Sequence, residues 1–243
     1  MNRIIITAII AFVAIICFWT IGNAYKYKFR AQENITVTGS SEVDFESDQI
    51  VWKASYSRKT MDLQGAYAQL KSDEGQIKEY LLSRGVTAEE IVFSAVNISK
   101  DYSYTYDSEG RTSSSVFTGY NLSQTVTVDS KDIPKIEKIS REVTDLIQSG
   151  IELNSQAPSY YYSKLADLKL DLLAKASEDA KKRAETIAKN SGKGLGKLKK
   201  ASMGVFQIVG KNSNEDYSYG GAFNTSSKSK TATITVKADY AAD

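Results

Sequence analysis

QIVWKASYSR, residues 49–58, decides the fold class. Ile50, Trp52, Ala54 and Tyr56 are apolar, while Lys53, Ser55 and Ser57 are polar. A period of two places alternate side chains on opposite faces, so this is a strand with one buried face. The spacing then becomes helical: Leu63, Tyr67, Leu70, Ile77 and Leu81 recur on one side until Gly85 ends the run. Thr60 is placed to cap that helix and Asp62 to complement its N-terminal dipole. Two further runs, from Ile91 to about Tyr104 and from Val116 to Val128, read as strands. In the second, Val116, Tyr120, Leu122, Val126 and Val128 share a face. With the β-branched ITVTG at 35–39 ahead of it, this is a strand-helix-strand-strand unit.

The same order returns. After a linking helix over 132–148, with Pro134 in its first turn, IELNSQAPSYYY (151–162) reads as a strand. A helix runs from Ser163 to about Asn190, and LKKASMGVFQIVG (198–210) is a strand. TATITVKADY (231–240) closes the pattern, with Ile234, Val236, Ala238 and Tyr240 on one face. Along the long helix, Leu165, Leu168, Leu172, Ala176, Ala180, Ala184 and Ile187 form a stripe that narrows from leucine to alanine and permits close packing. The fold class expected is α+β: two strand-helix-strand-strand units, with antiparallel hairpins packed against long helices. The halves span about 35–129 and 151–241 of a domain covering 35–243.

MNRIIITAIIAFVAIICFWTIGNA (1–24) precedes this domain, and from Ile4 to Ile21 it carries no charge. As a helix that run would span roughly 27 Å, close to a bilayer's hydrocarbon thickness. A signal peptide and a retained membrane anchor compete here. Gly22-Asn23-Ala24 loosely fits a cleavage site, whereas the apolar length suits an anchor better. Lys26, Lys28 and Arg30 lie on the wrong side for an outward-facing anchor. On either reading the bulk of the chain is exported, and residues 25–34 form a polar stalk. Cys17 lacks a small residue before it and reads as a buried apolar residue rather than a lipidation site.

Composition excludes much chemistry. The 243 residues hold 31 basic and 29 acidic side chains, so no strongly charged partner and no nucleic acid is indicated. There is no histidine, which removes histidine-based acid–base and nucleophilic catalysis and nearly all catalytic zinc sites. A single cysteine allows neither a disulfide framework nor a thiolate cluster. SGKGLGKLKK (191–200) resembles a phosphate loop but follows a helix instead of opening one, so Gly192 reads as a helix C-cap. Asp44, Glu46 and Asp48 alternate without a calcium-loop glycine and read as an exposed strand edge. Serine and lysine are both abundant, yet no Ser-Lys motif has its supporting residues. No catalytic, cofactor-binding or metal-ligating residue is assigned.

What remains are candidate interaction residues. Asp-Tyr-Ser-Tyr occurs at 101–104 and again at 216–219, each time between the two strands of a hairpin. Tyr102, Tyr104, Tyr217 and Tyr219 are either solvated hairpin tips or adaptable contact surfaces. Lys181, Lys182 and Arg183 open a basic stretch that is either a solvated helix face or a site for an anionic glycan or lipid.

ITVTGSSEVDFESDQIVW (35–52), GYNLSQTVTV (119–128) and SGIELNSQAPSYYY (149–162) are similar to stretches of SIMPL-domain proteins, as are AETIAKNSGKGLGKLKKA (184–201) and TATITVKADY (231–240). The likeness runs in order from about Ile35 to Tyr240. KLADLKLDLLAKASEDA (164–180) departs from it, with lysine or leucine where many members carry an arginine. The resemblance implies an exported protein of the bacterial cell envelope, in a family without established enzymatic activity. It also implies relatives known as periplasmic antigens and stress-associated proteins, at least one of them a ring-like oligomer. Joined to the long hairpins, it gives the expectation of a non-enzymatic, self-associating homo-oligomer held at the membrane through residues 4–21. That places the chain on the periplasmic side of the inner membrane, or free in the periplasm if the segment is cleaved.

Overall fold

A computed structural model of the chain describes residues 2–30 and 34–242, with side chains for 11–26 and 34–242. Helix α1 (Asn2–Arg30) holds the apolar run and continues into the expected stalk, while residues 31–33 lie outside the described residues. Among the described residues no helix is long and apolar enough to cross a membrane. The start of the expected span, residues 4–10, lies outside the described side chains. Cys17, expected to be buried, is exposed on α1.

Strand β1 (Asn34–Glu46) passes through Ser47 and Asp48 into β2 (Gln49–Thr60), and the two lie in different sheets. Then come α2 (Leu63–Ser83), a 3₁₀ turn, β3 (Ile91–Phe93), β4 (Asn97–Tyr106), β5 (Thr112–Ser130) and α3 (Ile133–Glu142). A second 3₁₀ turn, Val143–Ser149, leads to β6 (Leu153–Ser155) and β7 (Ser159–Tyr161). The chain closes with α4 (Leu165–Asn190), β8 (Leu195–Met203), β9 (Gln207–Gly210) and β10 (Ser229–Ala242).

Every strand pair in both sheets is antiparallel. In one sheet β10 is central, with β1 along its whole length on one side and β8 and β9 end to end on the other. In the other sheet β2 and β5 are central, flanked by β6 and β7 beyond β2 and by β3 and β4 beyond β5. The α+β class therefore holds, but sheet pairing does not follow the sequential halves. The opening strand of the first half completes the sheet of the second.

The period-two face of β2 is buried as its spacing predicts: Ile50, Trp52, Ala54 and Tyr56 pack with Leu70, Ile77 and Leu81 of α2 and with Leu122, Val126 and Val128 of β5. Trp52 Nε1 donates to Ser155 Oγ at 3.0 Å, and Tyr56 Oη donates to Gln124 Oε1 at 2.7 Å, so both of these ring polar atoms are paired. Buried Asp73 takes a two-pronged bond from Arg58, at 2.6 and 2.8 Å.

Several boundaries differ from expectation. Asp62, not Thr60, caps α2, accepting from the N–H groups of Gln64 and Gly65 at 3.1 and 2.8 Å. The linking helix is α-helical only to Glu142 and tightens to 3₁₀ up to Ser149. Each long strand expected at 91–104, 151–162 and 198–210 is interrupted, at 94–96, at 156–158 and at 204–206. Pro158 lacks a ladder donor in the second break. On α4 the buried stripe runs through Leu172, Ala176, Ala180, Ala184 and Ala188, so Ile187 faces outward. Its alanines let the helix touch β1: a Cβ at Gly39 would collide with the Ala176 carbonyl oxygen and the Ala180 nitrogen.

The sheets meet at Lys230, which is only 2 % exposed. Its Nζ donates to Ser47 Oγ at 3.0 Å and to the Tyr160 carbonyl at 2.5 Å, joining β10, the β1–β2 turn and β7. Burial holds this ammonium below the usual lysine range.

Candidate functional site

β2 ends opposite Tyr120, where Thr60 pairs with it, but β4 and β5 continue together. Beyond Gly119 they form a two-stranded arm with no third strand beside it among the described residues. Gly119 makes the exit possible: its φ is 135°, and a Cβ there would press on the Thr60 carbonyl oxygen. The alternation Tyr102-Ser103-Tyr104-Thr105-Tyr106 suits a pleated strand, and Thr112–Phe117 lies opposite. At the tip, Asp107 Oδ1 accepts from the N–H groups of Glu109 and Arg111, both at 2.9 Å, and Gly110 supplies the positive φ. The Arg111 N–H is the chief reason the Asp107 carboxyl stays below its usual range.

The arm carries a row of rings. Tyr120 packs against the core, Phe117 lies 5.2 Å from it, Tyr102 5.7 Å from Phe117, and Tyr104 6.4 Å from Tyr102. Tyr102, Tyr104 and Tyr106 are 43, 52 and 64 % exposed. The face that enters the core through Leu122 and Tyr120 thus runs on, uncovered, along the arm. Of the candidate residues, this brings Tyr102 and Tyr104 together; Tyr106 was missed although it continues their alternation, and Phe117 was missed because the bulge at Thr118 turns it, rather than the expected Val116, onto the face of Tyr120.

The second tract is built differently. Tyr217 and Tyr219 are exposed on an irregular segment between β9 and β10. Gln207 holds that segment from below. Its Nε2 donates to the Ser218 carbonyl at 2.8 Å, while its Oε1 accepts from Ser218 N–H at 3.2 Å and Ala222 N–H at 2.8 Å. Glu215 accepts from Gly210 N–H at 3.1 Å and from the Asn224 amide. The adjoining groove, of about 450 Å³, is lined by Met203, Val205, Phe206, Ile208 and Phe223, with Lys169 5.4 Å above the Phe206 ring. Neither tyrosine lines it.

The basic stretch divides as well. Lys182 and Arg183 line a groove of about 500 Å³ between α4 and β1, with Thr36, Val37, Thr38, Thr186 and Ile187. Both are paired within the helix, Lys182 with Glu178 at 2.7 Å and Arg183 with Asp179 at 2.8 Å. Lys181 lies 3.7 Å from Glu185 and does not line the groove. Asp179 also accepts the Ser40 N–H at 2.9 Å, the main cause of its lowered pKa.

The remaining motifs have structural partners. Asp44 binds Lys211 and Thr231 at 2.8 and 2.7 Å, while Asp48 binds the Ser163 N–H and Oγ at 2.7 and 2.6 Å, so these carboxylates diverge. Among the described residues no three histidine, cysteine, aspartate or glutamate side chains cluster as a metal site. Gly192 follows the C-cap of α4 with φ 70°, and β8 begins at Leu195. Ser47 and Lys230 are in contact, but both are buried, so the pair clamps the sheets together.

No curated protein is similar enough to this chain to count as a relative. The family model for SIMPL, described as a protein of unknown function (DUF541), matches residues 35–240, which spans β1 to β10 and both sheets. The chain therefore belongs to the SIMPL family.

Proposed function

We propose that this chain is a non-enzymatic protein of the cell envelope that works by associating with itself. The observation that carries the reading is the arm, a two-stranded ribbon with an uncovered row of tyrosines. A lone hairpin is marginally stable in water, so a ribbon of this kind gains by pairing with something else. The apolar run at 4–21 supports a position at the membrane, with the domain on the periplasmic side; the stress-related role rests on the family resemblance. No cofactor enters this reading. The test is the mass of the full chain in a non-ionic detergent, by light scattering on a sizing column. A discrete assembly is expected, and a smaller one when residues 102–117 are replaced by a short turn. A monomer in both cases would sink the proposal.

A second reading is favoured by the groove beside Lys182 and Arg183, which could seat an anionic glycan or lipid head group. Vesicles containing anionic lipid should then bind the chain less as salt rises, and the double variant Lys182→Glu, Arg183→Glu should not bind. The helical ion pairs argue for the weaker outcome, in which charge reversal changes nothing.

A further inference from the structure

Exposed sheet edges offer unpaired backbone donors and acceptors, and proteins guard them with charges, prolines, bulges or short strands. The edges of this chain differ sharply in that respect. β1 carries Glu42, Asp44 and Glu46, and Asp179 blocks its Ser40 N–H. β8 carries Lys197, Lys199 and Lys200. β6 and β7 are three residues each, with Pro158 between them, and β3 is also three residues long. The free side of β5 along the arm is bulged twice: both register shifts leave the extra residue, Thr118 or Ser113, on β5. β4 opposite it runs without insertion, and from Tyr102 to Tyr106 it has no charge, no proline and no glycine.

Resting on the self-association reading above, the geometry points to one contact: two copies pair their β4 strands edge to edge, antiparallel, about a twofold axis at Ser103. The other free edges of this chain are guarded, so a second arm is the one matching strand that the described residues offer. The register is self-complementary. With Ser103 opposite itself, Tyr102 faces the other copy's Tyr104, Asp101 faces Thr105 and Lys100 faces Tyr106, so no like charges oppose each other. The two tyrosine rows merge into one face of a four-stranded ribbon. An isologous contact of this kind closes on itself and does not propagate into a fibre.

The test uses the full chain in detergent with Cys17→Ser, so that no native thiol remains. Single cysteines are introduced as Ser103→Cys, Thr105→Cys and, on the guarded edge, Glu42→Cys, then oxidised or bridged with a short bismaleimide. Ser103→Cys is expected to give at least about fivefold more covalent dimer than Glu42→Cys, with Thr105→Cys between them, because only the axis residue meets its own copy. The pair Ser103→Lys, Thr105→Lys, which adds guarding charge to the same edge, should halve the assembly mass while leaving the far-ultraviolet spectrum unchanged. An assembly that resists these lysines and cross-links equally well at Glu42 would overturn the arm contact while self-association stands. A wild-type chain that is monomeric at every concentration would overturn both.

Discussion

Asp-Tyr-Ser-Tyr takes two unrelated forms in this molecule. At 101–104 it is uninterrupted strand, paired with β5 across the bulge at Thr118 and extended beyond its sheet. At 216–219 it is irregular and pinned from beneath by Gln207. The cause lies in the neighbours. After the first tract the alternation continues through Thr105 and Tyr106, and a strand of serines, threonine, valine and phenylalanine lies opposite. After the second come Gly220 and Gly221, the latter at φ 92°, and two buried polar side chains, Gln207 and Asn224, supply hydrogen bonds that a strand would have supplied. Four residues carry no conformational instruction when the partner differs.

The comparison breaks most visibly at its anchors. Gln207→Ala removes three hydrogen bonds from the second tract and should lower global stability by about 2–3 kcal/mol, read from urea unfolding. Ser103→Ala, its counterpart in the arm, should stay within about 0.5 kcal/mol. Equal losses would show that the arm is as firmly tied to the core as the loop. Next in size is Gly221→Ala, at about 1–2 kcal/mol, because alanine is strained at that positive φ and its Cβ would press on the Phe206 carbonyl oxygen. Gly110→Ala at the arm's tip also meets a positive φ but open space, so it isolates the backbone part of that cost.

These anchors also explain what the sequence disclosed. The buried faces of β2 and β10 were legible because alternation is a local signal read within ten residues. The long helices were legible for the same reason. The placement of β1 beside β10 was not, since pairing Asn34–Glu46 with Ser229–Ala241 depends on partners about two hundred positions apart. Gln207 was invisible as an anchor because a glutamine inside VFQIVG looks like a gap in an apolar run. Lys230 was missed for a related reason: a lysine among Ser227, Lys228 and Ser229 reads as surface, and only the meeting of two sheets buries it. In the candidate site, Tyr102 and Tyr104 could be named from the repeat, while the arm they stand on required knowing that β2 stops short.

A third effect is a slope rather than a step, and it belongs to the second tract's side of the molecule. Lys230, which starts β10 just after that loop, has a folded pKa below its unfolded value of about 10.4. Below the folded pKa the unfolded chain binds this proton more tightly, so the charged lysine opposes folding there. Stability from this group therefore rises as pH climbs from the folded pKa towards about 10.4. Tyr56, held above its usual range mainly by burial, acts in the opposite direction near pH 10, because the unfolded phenol ionises first. The difference between wild type and Lys230→Met isolates the lysine: the melting-temperature gap should shift in favour of wild type as pH rises towards about 10.4. A gap that stays constant with pH would mean that Lys230 is not desolvated at the seam.

The smallest effects test the tyrosines themselves. Tyr102 touches Phe117 and Tyr104 through its ring, and such aromatic contacts contribute about 0.5–1.5 kcal/mol beyond area burial. Because the arm stands outside the sheet, Tyr102→Ala should loosen it locally rather than lower the global transition. The loss should be about 1 kcal/mol, read as faster amide exchange between Thr112 and Phe117. Tyr219 is fully exposed, so Tyr219→Ala should change neither exchange nor melting by more than about 0.5 kcal/mol. If Tyr219→Ala instead cost more than Tyr102→Ala, the second tract would hold a partner for its ring, and the contact surface would belong on the loop rather than on the arm.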